Sequence, residues 1–254
     1  MISIKIVGDD SGILSSFETR AELNQDVWEG KALRPEVSER LVEIAEDFLE
    51  SLGMGVSNWT LTITGSLANY NWSKYSDIDL HIILPFEDID ENEELLREFF
   101  NAKQAVWNSK HDILVKEHQV EIYVQNESEP HISTGVYSIS DNSWLLEPVR
   151  ESSDIDRPSV RIKSDTLTKR ISQIEKMFNE GKDEEVYSEA MILKDKIKKM
   201  RKCGLDKEGI FSVENISFKV LRRNGSMGRL IGLINSSYDN LMSLAESDDQ
   251  DKDN

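Results

Sequence analysis

The stretch "SDIDLHIIL", residues 76–84, sets the strongest constraint on what this chain can fold into. Apolar residues alternate there with Asp77, Asp79 and His81, and successive side chains of a strand point to opposite faces. Ile78, Leu80 and Ile82 therefore belong to a core, and the other face carries two carboxylates one residue apart. Residues two apart on a strand have Cα atoms about 6–7 Å apart, so the carboxylates can approach to about 4–5 Å. At an effective dielectric near 20 their repulsion is then roughly 3–4 kcal/mol. A raised pKa on one partner would relieve it. A bound divalent cation relieves it better, because it favours both groups ionised, and Mg²⁺ takes oxygen ligands while keeping positions for water and phosphate.

Two further segments extend this device. In "VEIYVQ" Val120, Ile122 and Val124 form one strand face, and Glu121 and Tyr123 form the other. If this strand lies beside the first, Glu121 joins Asp77 and Asp79, and three carboxylates on one sheet face make a two-metal site. "WTLTITGS" reads as a strand running into a turn. Gly65 allows a phosphate to approach the backbone with no Cβ in the way, and Ser66 offers a hydroxyl. A helix opening at "LANYNW" would add free N–H groups for an anion.

The order Gly-Ser, about ten residues, then Asp-x-Asp among apolar residues, here "TGSLANYNWSKYSDIDLHI", resembles the signature of polymerase-β-like nucleotidyltransferases. The apolar-Glu-apolar strand "VEIYV" resembles the one that carries that superfamily's third carboxylate. The resemblance covers residues 59–125. The wider chain, with "STGVYSI" and "ENISFKVLRRNG", is similar to nucleotidyltransferase-like proteins of large tailed bacteriophages. The resemblance implies an α/β (α+β) nucleotidyltransferase fold, with a small mixed sheet flanked by helices. It implies Mg²⁺, or Mn²⁺, held by Asp77, Asp79 and Glu121 as the catalytic carboxylates. It implies a nucleoside triphosphate such as ATP bound by Gly65, Ser66, Ser76 and Lys74. Many small members carry an arginine soon after Gly-Ser; this chain does not, and Lys74 is the nearest base.

Around this core, "RPEVSERLVEIAEDFLESLGMG" reads as a helix with Pro35 in its first turn, an apolar stripe of Val37, Leu41, Ile44, Ala45 and Leu49, and Gly53 as its stop. "EELLREFFNAKQAVWNSK" has helical spacing, "TGVYSI" is a fourth extended element, and "ISIKIV" alternates like a short strand. Residues 9–30 are acidic and weakly patterned, which suggests a loop or a poorly defined helix. From Arg157 onward four segments have helical period, with Gly204 and Asn224-Gly225 as punctuation. The expected organisation is a nucleotidyltransferase-like domain at 1–156, an all-α bundle at 157–245 and an acidic, disordered tail at 246–254.

Composition narrows the partners. The formal charge of −18 disfavours bare nucleic acid and anionic membranes. It is uneven, at about −20 over residues 1–156 and about +2 beyond, so any polyanion would meet the C-terminal part. Lys194, Lys196, Lys198, Lys199, Arg201 and Lys202, with Arg222 and Arg223, make the strongest basic run, for which a solvated helix face is the default. Tyr70, Trp72 and Tyr75 could stack on a base, though packing is the commoner role. Cys203 is the single cysteine, so no intrachain disulfide forms, which fits a reducing cytoplasm. No apolar run approaches the roughly 20 residues that span a bilayer, and "MISIKIVGDD" lacks the basic start and long apolar centre of a signal peptide. Walker loops, zinc-ligand pairs and nucleophile elbows are missing from the sequence.

The reaction expected is transfer of a nucleoside monophosphate to an acceptor hydroxyl with release of pyrophosphate. A small molecule or protein is favoured as acceptor over an RNA 3′ end. A non-catalytic, nucleotide-binding protein of the same fold is the alternative of another class.

Overall fold

The structure, a computed structural model, describes residues 10–131, 133–150 and 154–244. The strand expected at "ISIKIV" and the acidic tail at 246–254 lie outside the described residues. The chain divides into two compact units. One spans residues 16–153; the other joins the short helix α1 (Asp10–Ser15) to the C-terminal helices.

The first unit opens with a loop and a two-stranded ribbon, β1 (Trp28–Glu29) and β2 (Ala32–Leu33). Helix α2 (Pro35–Ser51) follows. Pro35 occupies the first turn, where its missing N–H costs nothing, and Val37, Leu41, Ile44, Ala45 and Leu49 are all buried. Gly53, at φ +68°, marks the stop. Next come β3 (Thr60–Thr64), β4 (Ile78–Leu84) and helix α3 (Glu93–Lys110), whose N-terminus Asn92 caps by accepting from the Leu95 amide. The strands β5 (Leu114–Val115), β6 (His118–Asn126), β7 (Val136–Ser138) and β8 (Ser143–Leu146) complete the unit.

Six strands form one mixed sheet in the order β5-β6-β4-β3-β7-β8. Only β4 and β6 run parallel; the other neighbours are antiparallel. A parallel pair needs a crossover of a dozen residues or more, and α3 supplies it. Leu61, Ile63, Ile78, Leu80, Ile82, Val120 and Ile122 pack in one cluster with Val37, Leu41 and Phe48 of α2 and Leu96 and Phe100 of α3. That face follows the alternation of "SDIDLHIIL" and "VEIYVQ" residue by residue.

The second unit is the helical bundle expected beyond Arg157: α4 (Arg157–Asn179), α5 (Asp183–Glu208), α6 (Val213–Arg223) and α7 (Ser226–Met242). Asp156 caps α4 and Ser212 caps α6 by accepting N–H groups of the first turn. Leu167, Ile171, Ile174, Val186, Ile197, Leu221, Leu230 and Leu233 lie in its core. Among the described residues no helix is long and apolar enough to cross a membrane.

One expectation is corrected. Gly204 does not punctuate the helices; it lies inside α5, and the break falls at Gly209, at φ +76°. The reason is packing. A Cβ on Gly204 would sit 2.5 Å from Glu214 Cβ and 2.7 Å from Ser212 Oγ, so the glycine admits the start of α6 against α5. Gly204→Ala is therefore expected to cost about 1–3 kcal/mol by overpacking. Gly232→Ala on α7, where a Cβ would meet nothing within 4 Å, is expected to stabilise by about 0.5–1 kcal/mol. Urea unfolding of the two variants checks the pair of opposite signs.

Candidate active site

The sheet face opposite the core is polar across three strands. The register sets Thr64 beside Asp79 and Asp79 beside Glu121. One step along, Thr62 stands beside His81 and His81 beside Tyr123. Two polar rungs thus cross β3, β4 and β6. The parallel pairing brings Glu121 next to Asp79, as the alternation of both strands anticipates. Asp77 lies just before β4, and its half-buried position continues the alternation between Ser76 and Ile78, both buried.

The side chains of these rungs bond to one another. The Tyr123 hydroxyl donates to Glu121 Oε2 at 2.6 Å. Its ring stacks on His81 with centroids 5.0 Å apart. Gln125 Nε2 donates to the Glu129 carbonyl, so its Oε1 faces His81 Nδ1 at 3.2 Å. His81 Nδ1 therefore carries the proton, and Nε2 accepts from Thr64 Oγ1 at 3.0 Å. Burial pushes His81 down to about 4, which keeps the imidazole neutral. Among the described residues Thr62 Oγ1 is buried with no hydrogen-bond partner.

Gly65 closes the turn after β3 at φ +76°. A Cβ there would lie 1.7 Å from Asp79 Oδ2, so the Asp79 carboxylate packs against the bare Cα. Ser66 Oγ donates to Ser76 Oγ at 2.8 Å, and Ser76 Oγ also accepts from the Ser73 amide. The glycine-serine turn is thereby tied to the entry of β4. Lys74 is exposed, with Nζ 5.1 Å from the Tyr75 ring centroid. Tyr70 and Trp72 pack against the core, while Tyr75 stays exposed.

No helix follows Gly65–Ser66: residues 65–71 form turns, so helix-terminal N–H groups do not contribute. The cause is side-chain capture. Leu67 and Ala68 are buried, the Asn69 side chain accepts from the Tyr70 amide, and local bonds of this kind compete with a helix. The segment 16–30, weakly patterned in sequence, then pins the turns. Trp28 Nε1 donates to the Leu67 carbonyl, Trp72 Nε1 to the Glu22 carbonyl and the Arg20 amide to the Tyr70 carbonyl. His118 Nδ1 donates to the Ser76 carbonyl at 2.6 Å, and its Nε2 takes Asn24 Nδ2 at 2.8 Å. Asn24, Thr62, Thr64 and His118 also shape the site, although no motif in the sequence marks them. The alternating threonines of "TLTIT" were the signal for two of them.

The donor chemistry suits a hard divalent cation, since Asp77, Asp79 and Glu121 offer only carboxylate oxygens. Their placement is looser than that chemistry asks. Among the described residues no group of three or more His, Cys, Asp or Glu side chains is gathered so as to hold a metal ion, and Glu121 is engaged by Tyr123.

No protein-family model matches the chain, and no curated protein is significantly similar to it. Among solved structures, the STING-associated CdnE c-di-GMP synthase of Capnocytophaga granulosa is 16% identical over 83% of each chain, with a TM-score of 0.23.

Two outcomes follow from this geometry. Gly65→Ala is expected to cost about 1–3 kcal/mol, because the backbone conformation disfavours a side chain and Asp79 must move; thermal unfolding measures it. His81 titrates below its ordinary 6.5 in the folded state. Its contribution is therefore fully present above about pH 6.5 and is lost as the pH falls toward 4, by up to about 3 kcal/mol. In chelator-containing buffer, stability of the wild type should fall more steeply between pH 6.5 and 4 than that of His81→Gln.

Proposed function

We propose that this protein is a polymerase-β-like nucleotidyltransferase that moves a nucleoside monophosphate from a nucleoside triphosphate to an acceptor hydroxyl. The observation that carries the reading is the β4–β6 register, which sets Asp79 against Glu121 while Gly65 packs on the Asp79 carboxylate. Carboxylates and a side-chain-free turn meet at one edge of one sheet face.

In this reading Asp77 and Asp79 would hold Mg²⁺ or Mn²⁺, with Glu121 joining once it turns from Tyr123. The cation, when bound, offsets the negative charge of the triphosphate. The Gly65–Ser66 turn receives the terminal phosphates, and Ser76 fixes that turn through Ser66. The acceptor oxygen bonds to the α-phosphorus as the bond from that phosphorus to the bridging oxygen breaks. Pyrophosphate leaves with the electron pair, and the hydroxyl proton passes to the Glu121 carboxylate. His81, neutral and held on both ring nitrogens, orients Tyr123 by stacking, and Tyr123 holds Glu121 until the cation is bound.

A small-molecule or protein acceptor accords with the −18 charge. RNA 3′-end addition would need phosphate contacts, for which the basic run on α5 is the source; its affinity would fall steeply with salt. A second class of reading, nucleotide binding without turnover, draws on one specific observation: Glu121 is engaged by the Tyr123 hydroxyl and no three-ligand metal group is formed among the described residues.

Incubation with each α-labelled triphosphate and fractionated cell extract tests transfer, and pyrophosphate release separates an enzyme from a binder. Mg²⁺ with triphosphate is expected to raise stability by about 2.7 kcal/mol at a hundredfold excess over Kd. Asp77→Asn combined with Asp79→Asn should abolish both that gain and the transfer. Without metal the double variant should be no less stable than wild type, since a repulsive pair is gone. Identical melting of the wild type with and without metal and triphosphate would count against the reading.

A further inference from the structure

The segment "STG", residues 133–135, lies against the glycine-serine turn and has no role in the reading above. Its contacts are specific. Ser133 Oγ accepts from the Gly65 amide at 3.3 Å and from the Gly135 amide at 3.4 Å, and donates to the Gly135 carbonyl at 3.0 Å. Asn69 Nδ2 donates to Thr134 Oγ1 beside it. Two backbone N–H groups from separate loops thus converge on one neutral oxygen.

Both donors belong to glycines that a side chain would displace. A Cβ on Gly65 would lie 1.7 Å from Asp79 Oδ2, and one on Gly135 would lie 2.0 Å from the Ala68 carbonyl oxygen. The close approach of the two loops thus requires a glycine at 135, and the Asp79 carboxylate requires one at 65. Gly135 is buried, Ser133 half-buried and Thr134 exposed, so the convergence sits at an open edge of the unit. The two amide bonds are long beside the usual 2.9–3.0 Å. A charged oxygen makes such bonds shorter and about twice as strong. The hydroxyl is therefore a weak occupant of a position that suits an anion.

We propose that the Gly65 and Gly135 amides form a seat for a phosphate oxygen, which the Ser133 hydroxyl fills until a phosphate displaces it. The inference rests on the triphosphate reading and adds Gly135 as a donor and Ser133 as the group that must leave. The Asp79 carboxylate beside Gly65 repels a bare anion, so the ligand is a phosphate-bearing group accompanied by a divalent cation.

The consequence has an unusual sign. Removing a hydroxyl from a binding site ordinarily weakens binding; here Ser133→Ala should tighten it. Relief from one displaced hydrogen bond corresponds to about three- to tenfold in Kd. The test is calorimetric titration of the full chain with pyrophosphate in MgCl₂, comparing wild type, Ser133→Ala and Ser133→Thr, which keeps the hydroxyl. Tighter binding by Ser133→Ala with near-wild-type binding by Ser133→Thr supports the seat. Equal or weaker binding by Ser133→Ala overturns it, while pyrophosphate binding by the wild type leaves the triphosphate reading standing. Binding by Ser133→Ala alone would support the seat although the wild type fails the broader reading. Binding by none of the three overturns both. Glycine-selective ¹⁵N labelling of the wild type gives the answer should Ser133→Ala fail to fold. The Gly65 and Gly135 amide signals should both move on saturation, and two unmoved signals under saturating pyrophosphate overturn the seat.

Discussion

The parallel pairing of β4 with β6 is the constraint on which the candidate site depends. Side-chain alternation fixes what each strand offers, but the register alone decides which residues meet. With Asp79 opposite Glu121, His81 falls opposite Tyr123, and the polar rungs come into line. A slip of one residue would put Ile78 or Leu80 on the polar face and carry a carboxylate into the core. The apolar set of Ile78, Leu80, Ile82 and Ile122, each fully buried, therefore enforces the polar set. Core packing and site geometry are two faces of the same register.

That linkage explains why so much was legible. The α2 stripe, the two carboxylate-bearing strands and the four bundle helices all declare themselves through strong periodicity, and the structure carries them at nearly the expected positions. What the sequence hid were elements with little period. β5 has two residues and β8 four, and they are held by neighbours rather than by pattern. Segment 16–30 reads as acidic and weakly patterned, yet Leu23, Val27 and Trp28 are buried and several of its groups bond to the site turn. The expected helix after Gly65–Ser66 failed for the same reason: partners distant in the chain decide its conformation, and no local signal reports them. Gly204 misled in the opposite way, because a glycine that serves close helix packing looks in sequence like one that ends a helix.

The candidate site shows restraint in its charges. His81 is kept neutral by burial, Glu121 is engaged by a tyrosine hydroxyl, and the Asp79 carboxylate rests on a glycine. Each arrangement holds a group that chemistry could use in a partnership that chemistry would have to alter. The Ser133 hydroxyl, set between two glycine amides, belongs to the same pattern.

The bonds from segment 16–30 to the turns at 65–76 have a consequence for how the unit opens. Trp28, Trp72, His118 and Asn24 join stretches that are roughly 40 to 90 positions apart in the chain, so neither stretch can fray alone. Local opening in proteins proceeds in cooperative blocks, and these two stretches form one. Amide hydrogens of the site turn should then exchange with solvent at the pace of the N-terminal loop rather than of the neighbouring strands. The shape of the candidate site is thus tied to a segment far from it in the chain.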